Sequence, residues 1–164
     1  MKSRCWLIFL AAIAAAAAAP AQTKTSGTLQ CGKSDPAHVV EIGDRADHAF
    51  VVAKVACTWA KPMEIAGIAA KDGGSVSSEE KSGARSSGSG IHWTAMANGD
   101  KIFVRFHGKT TYDKEGKVTT SDGTWSYTGG TGKMKGIKGK GTYKGTGNAD
   151  GTATYQVEGD YTLP

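Results

Sequence analysis

The chain lacks almost every short signature of catalysis. It has no G-x-S-x-G elbow to present a nucleophilic serine, and no G-x-G-x-x-G following a strand. His38, His48, His92 and His107 form no H-x-x-x-H pair of the kind that grips a metal. A phosphate loop fails as well, because G-x-x-x-x-G-K-[ST] laid on Gly132 and Lys133 would need Gly at Tyr127 and Ser or Thr at Met134. Asn148-x-Asp150-Gly151 has part of a calcium loop, but Thr146 and Val157 stand where its first and twelfth ligands belong, so a plain hairpin is expected there. These absences argue against nucleotide binding and leave no catalytic residue, metal ligand or cofactor to assign.

A long apolar run is also missing. Trp6 to Ala19 spans about 14 residues, mostly alanine, short of the roughly 20 that cross a bilayer. Preceded by Lys2 and Arg4 and followed by Ala19-Pro20-Ala21, it reads as a secretory signal peptide over residues 1–21. The expected product is one domain over residues 22–164, secreted or periplasmic, with no membrane span after cleavage. Removal of two basic residues lowers the formal charge from +5 to +3, which is weak support for nucleic-acid binding, and no specific nucleic-acid partner is expected.

Cysteine is scarce too. Beyond the signal segment only Cys31 and Cys57 remain, and in an oxidising compartment two such thiols most simply form one disulfide. Period-two alternation supports the pairing. It puts Cys31 on the face of Leu29, and Cys57 on the face of Val51, Val55 and Trp59.

No segment keeps a helical period for three turns. The chain instead alternates strand-like runs with turn chemistry, an all-β pattern. Runs are expected near 25–31, 38–42, 49–59, 64–70, 74–82, 88–97, 101–112, 117–128, 139–145 and 152–162. The clearest turns are Asn98 to Asp100, Asp113 to Gly116 and Asn148 to Gly151. The Ser/Gly-rich span from Asp72 to Gly90 reads as a hairpin within the same domain.

Alternation separates two faces. Trp125 with Tyr127, Tyr143 with Gly141 and Gly145, and Tyr155 with Val157 and Tyr161 share one side; Thr124, Ser126, Gln156, Glu158 and Asp160 share the other. Because open edges invite aggregation, about eight such strands are expected to close into an antiparallel barrel. Trp59, Trp93, Trp125, Tyr127, Tyr143 and Tyr155 are the candidate ligand-binding aromatics of its interior, joined by Ile102, Val104 and Phe106. Glu64 or His92, if turned inward, would become a candidate acid or base.

The stretch Trp125 to Gly145, WSYTGGTGKMKGIKGKGTYKG, combines glycines with Lys133, Lys135, Lys138, Lys140 and Lys144. The lysines read either as a solvated edge protected from strand pairing or as an anion rim binding acidic polymers weakly. Gly129, Gly130 and Gly132 mark a sharp structural turn, after which a single helical turn can cross the barrel end. The segment Gly129-Gly130-Thr131-Gly132-Lys133-Met134, followed by Gly136 and Gly139-Lys140-Gly141, resembles the corner and glycine-rich return strand of the allene oxide cyclase and dirigent-like barrels. Over Gly123 to Tyr161 it is also similar to small exported bacterial proteins carrying GTWSYTGGTGK and KGIKGKGTY. The resemblance implies an eight-stranded, calycin-like barrel, and no acid, arginine or tyrosine of the plant enzymes maps onto this chain.

Three functions fit these features. The barrel binds a small apolar or aromatic ligand in its interior; it works as an isomerase or cyclase; or it is filled by side chains and acts through its lysine-rich surface. An open cavity would separate the first two from the third.

Overall fold

The computed structural model describes residues 22–164; the signal peptide expected over residues 1–21 lies outside them. Ten strands form: β1 (Thr23–Cys31), β2 (Ala37–Glu41), β3 (His48–Lys61), β4 (Glu64–Ile65), β5 (Ile68–Ser82), β6 (Arg85–Met96), β7 (Lys101–Tyr112), β8 (Val118–Gly130), β9 (Lys138–Gly147) and β10 (Ala153–Thr162). A single 3-10 turn, Gly132–Met134, bridges β8 and β9, as the glycine-rich corner suggested. No helix among the described residues is long and apolar enough to cross a membrane.

Eight of the strands close into an antiparallel barrel in the order β3-β1-β10-β9-β8-β7-β6-β5, with β5 returning to β3. From β5 to β10 the strands follow as consecutive hairpins, the local pairing that their turn residues favour. Gly99, Gly116 and Gly151 take φ of 86°, 78° and 85° in three of these turns. The span from Asp72 to Gly90 is indeed one hairpin, β5 with β6. The expected run at 64–70 divides instead. Ala66 and Gly67 take φ of 50° and 73°, so β4 folds back on the start of β5 with Ile65 opposite Ile68.

Closure depends on β1, which pairs with β10 from Thr23↔Tyr161 to Cys31↔Ala153 and with β3 through Leu29↔Trp59 and Cys31↔Cys57. Above Cys31 the chain leaves the wall at Gly32 and returns as β2, which takes up the same side of β3 over Ala49 to Ala53. Strand β10 begins only at Ala153, so β2 has one hydrogen-bonded neighbour among the described residues and the wall is split beside it.

The two ends differ. One is plugged by an apolar cluster of Met63, Ile65, Ala70, Met96, Ile102, Met134, Ile137 and Tyr161. Tyr161 also ties it with a polar contact, its hydroxyl accepting the Ala66 N–H at 2.8 Å. The corner after β8 seals the plug: Asp100 Oδ2 accepts the Lys133 N–H at 3.0 Å, and Thr131 Oγ1 accepts the Lys101 N–H at 2.8 Å. Gly132 has a φ of 50°, and a Cβ there would overlap the Asp100 carboxylate, so both backbone conformation and space demand glycine. The opposite end, where the β5–β6 and β7–β8 hairpins stand, is open.

Cys31 and Cys57 are bonded, at an S–S distance of 2.06 Å, and both sulfurs sit in a second cluster with Leu29. The bridge closes a loop of 26 residues, worth about 3.5 kcal/mol of unfolded-state entropy in the loop-closure model. Reduction should therefore lower the thermal midpoint by about 10 °C for a chain of this size. Scanning calorimetry with and without reductant checks this, and an unchanged midpoint would show that β1 is held without the bridge.

Candidate functional site

The barrel encloses a cup of about 1050 Å³, open at the split end and floored by Met63 and Ile102 of the plug. Its size follows from how the inward side chains alternate around the wall. Large rings lie across glycines one or two strands along the wall instead of projecting into the lumen. A Cβ on Gly90 would meet the Phe106 ring at 2.5 Å, one on Gly141 or Gly159 would meet Trp125 at 2.5 Å, and one on Gly145 would meet Tyr155 at 2.4 Å. Tyr143 spreads over both Gly108 and Gly123. The rings are thus absorbed into the wall.

Five of the six expected aromatics line the cup: Trp59, Trp125, Tyr127, Tyr143 and Tyr155. They meet edge to face, Trp125 with Tyr127 at 5.0 Å, Tyr143 with Tyr155 at 6.0 Å and Phe106 with Tyr143 at 6.3 Å between centroids, the arrangement that ring quadrupoles favour. Trp125 donates its indole N–H to the Thr142 carbonyl at 3.2 Å. The indole N–H of Trp59 is buried without a partner, alone in this among side-chain polar atoms of the described residues. Trp93 stands instead on the outer face, 38 % exposed, with the Lys101 ammonium 5.9 Å from its ring centroid.

The opposite wall, β5 and β6, is inverted relative to an ordinary sheet. Ser75, Ser77, Glu79, Lys81, His92 and Thr94 face the cup, while Val76 faces out, 50 % exposed, beside its partner Ile91. Sequence pattern missed Glu79, Ser75 and Tyr112, because a Ser/Glu/Lys alternation normally marks the wet face and here that face is the lumen. Of the two candidate acid–base groups, His92 turns inward, 7 % exposed, and Glu64 is exposed on the outside.

His92 is held at both ring nitrogens, Nδ1 with Ser75 Oγ at 2.8 Å and Nε2 with Thr94 Oγ1 at 3.0 Å. Burial pulls its pKa down to about 4, so the imidazole is neutral near pH 7 and pairs with one hydroxyl as donor and the other as acceptor. Burial likewise raises the phenols lining the cup, Tyr112 and Tyr143 to about 12 and Tyr127 and Tyr155 in the same direction. These rings therefore remain neutral hydrogen-bonding groups at physiological pH.

The lysines of the glycine-rich stretch lie away from the mouth. Lys133 belongs to the 3-10 turn and Lys135 follows it at the plugged end, with Lys138 at the start of β9. Lys140 is registered opposite Asp160 and Ser126, and Lys144 opposite Gln156 and Asp122. In the corner, Gly129 has a φ of 157° and Gly130 lies where a Cβ would meet the Met134 carbonyl at 2.5 Å.

Two histidines produce opposite pH signatures. His92 binds fewer protons folded than unfolded, so stability falls as pH drops from about 6.5 towards 4, by up to about 1.4 kcal/mol per unit. His48 is hydrogen-bonded to Asp44 at 2.5 Å and Glu80 at 2.8 Å, and those carboxylates raise its pKa. Its contribution is complete below about 6.5 and is lost as pH rises through the raised value. In urea titrations across pH, His92→Gln should flatten the acid limb and His48→Gln the limb above 6.5. An acid limb unchanged in His92→Gln would contradict a buried neutral imidazole.

No family model and no curated protein matches the chain. Among solved structures it is similar to a pyocyanin demethylase, at 16% identity and a TM-score of 0.44 over 82% of this chain and 98% of that one. It is also similar to a pterocarpan synthase dirigent protein, at 12% identity and a TM-score of 0.49 over 96% of this chain and 100% of that one.

Proposed function

We propose that this chain is an exported binding barrel that takes a small, largely apolar aromatic molecule into its cup. The observation that carries the reading is the open interior of about 1050 Å³ with aromatic rings on one wall and hydroxyls on the other. That volume suits a ligand of two or three fused rings or a comparable chain. Apolar burial against Trp125, Tyr127 and Phe106 supplies affinity, while the hydroxyl wall supplies orientation. An open interior counts against a barrel filled by its own side chains. The disulfide supports the secreted or periplasmic setting, and the resemblance of the Gly129 to Gly141 corner to allene oxide cyclase and dirigent-like barrels is in keeping with a hollow fold.

One observation favours a second reading, an isomerase- or cyclase-type enzyme: a neutral imidazole, His92, held by two hydroxyls on the polar wall of the cup. Such a group can take and return a proton while the wall holds the substrate in a reactive shape. A carrier releases its ligand unchanged, whereas this enzyme would release an isomer, and His92→Gln would abolish the conversion.

Native mass spectrometry of protein taken from its own cells should show a small-molecule adduct that leaves on denaturation. Ser77→Trp, which fills the cup beside Gly90 and Ala53, should weaken capture of that molecule at least tenfold with little change in thermal midpoint. A clean apo mass, together with tryptophan emission that responds to no aromatic probe, would overturn the binding reading.

A further inference from the structure

The Glu79 carboxylate, in the wall of the cup, takes part in no ion pair among the described residues. Glu79 projects from β5 across Gly88, where a Cβ would meet its Cγ at 2.7 Å. Its Oε1 accepts from the Ser77 hydroxyl at 3.2 Å, and its Oε2 accepts from Ser86 at 2.5 Å and Tyr112 at 3.1 Å. Hydroxyls fill lone pairs and bring no positive charge, so the carboxylate's monopole remains. Among the described residues no lysine, arginine or histidine is ion-paired with it. Lys81, two residues along the same inward face, has its ammonium 5.0 Å from the centroid of the Tyr112 ring instead.

Glu79 shares the lining of the cup with Tyr112, Tyr143 and Tyr155. Burial chiefly keeps the Tyr155 and Tyr143 phenols protonated; the Glu79 charge adds to this next at Tyr155 and, behind Tyr155 itself, to a lesser degree at Tyr143. Ring faces carry partial negative charge, and Lys81 over Tyr112 shows that one of these faces already accommodates a cation. Six carboxylates against four lysines line the cup and its mouth, so the entrance does not repel positive charge. A carboxylate offers about four lone-pair directions, of which three are taken here.

We propose that the ligand is an organic monocation, its positive end set against Glu79 and the rings of Tyr112, Tyr143 and Tyr155, and its flat apolar body against Trp125 and Tyr127. The inference rests on the cup being the binding site and adds the class of molecule that fills it. Lys81 then acts as a competing charge at the same place. Its removal strengthens binding, whereas loss of the Glu79 charge weakens it.

The test compares two probes of the same shape, 1-methylquinolinium and neutral 1-methylnaphthalene, titrated into the purified protein by tryptophan quenching and calorimetry. The cation should bind at least tenfold more tightly than the hydrocarbon. Glu79→Gln, the same size without the charge, should erase that difference, and Lys81→Met should tighten the cation several-fold. Equal binding of both probes to the native protein would overturn the cationic assignment while leaving the cup as a binding site. Binding of neither probe, with a clean apo mass, would overturn both. Because the first comparison uses unaltered protein, it holds even where a variant folds poorly.

Discussion

Closure of the barrel through β1 is the constraint on which the rest of the structure depends. This strand comes first in the described chain, yet it must lie between β10, which comes last, and β3. The remaining wall strands follow as local hairpins that form at little entropic expense. β1 requires ends of the chain separated by more than a hundred residues to meet, and such non-local pairing is slow and entropically unfavourable. The Cys31–Cys57 bridge lies on that seam, joining β1 to β3 at the level where the wall splits. Below it the barrel is continuous and ends in a packed plug; above it β2 leaves an opening. The seam therefore sets both the stability of the wall and the route into the cup.

A second constraint is steric. A small barrel is normally filled by its own side chains, and this one escapes filling because its inward rings lie across inward glycines. Tyr143 lies over Gly108 and Gly123, Trp125 over Gly141 and Gly159, and Phe106 over Gly90, so one ring flat against the wall fills the space of one or two further side chains. The glycines of the second half thus serve two ends: some, such as Gly99, Gly116 and Gly151, make turns, and others, such as Gly108, Gly123 and Gly141, make room for rings. What remains is a lumen with aromatic surface on one side and an array of hydroxyls, imidazole and carboxylate on the other.

Much of this was legible in the chain. The period-two alternation of Trp125 with Tyr127 and of Ile102, Val104 and Phe106 placed those residues inside, and the turn residues at Asn98, Asp113 and Asn148 placed the hairpins. The candidate site was legible on its aromatic side only. On β5 and β6 the rule that apolar residues point inward reverses, since Val76, Ile91 and Trp93 face out while Ser75, Glu79 and His92 face the cup. Alternation shows that two faces exist; it does not show which is the lumen when the lumen itself is polar.

By itself the sequence determined the class of structure: strands from period two, turns from Gly, Asn and Asp, and a disulfide from two thiols on apolar faces. These are local properties, set by backbone sterics and by which side chains share a side. Only the tertiary structure decided that the interior is hollow, that one end is plugged and the other open, and that Glu79 lines the same cup as Tyr112, Tyr143 and Tyr155 with no ion pair among the described residues. Those features arise from the shear and closure of eight strands. Closure brings residues far apart in the chain to the same height in the barrel, and no local pattern records that height.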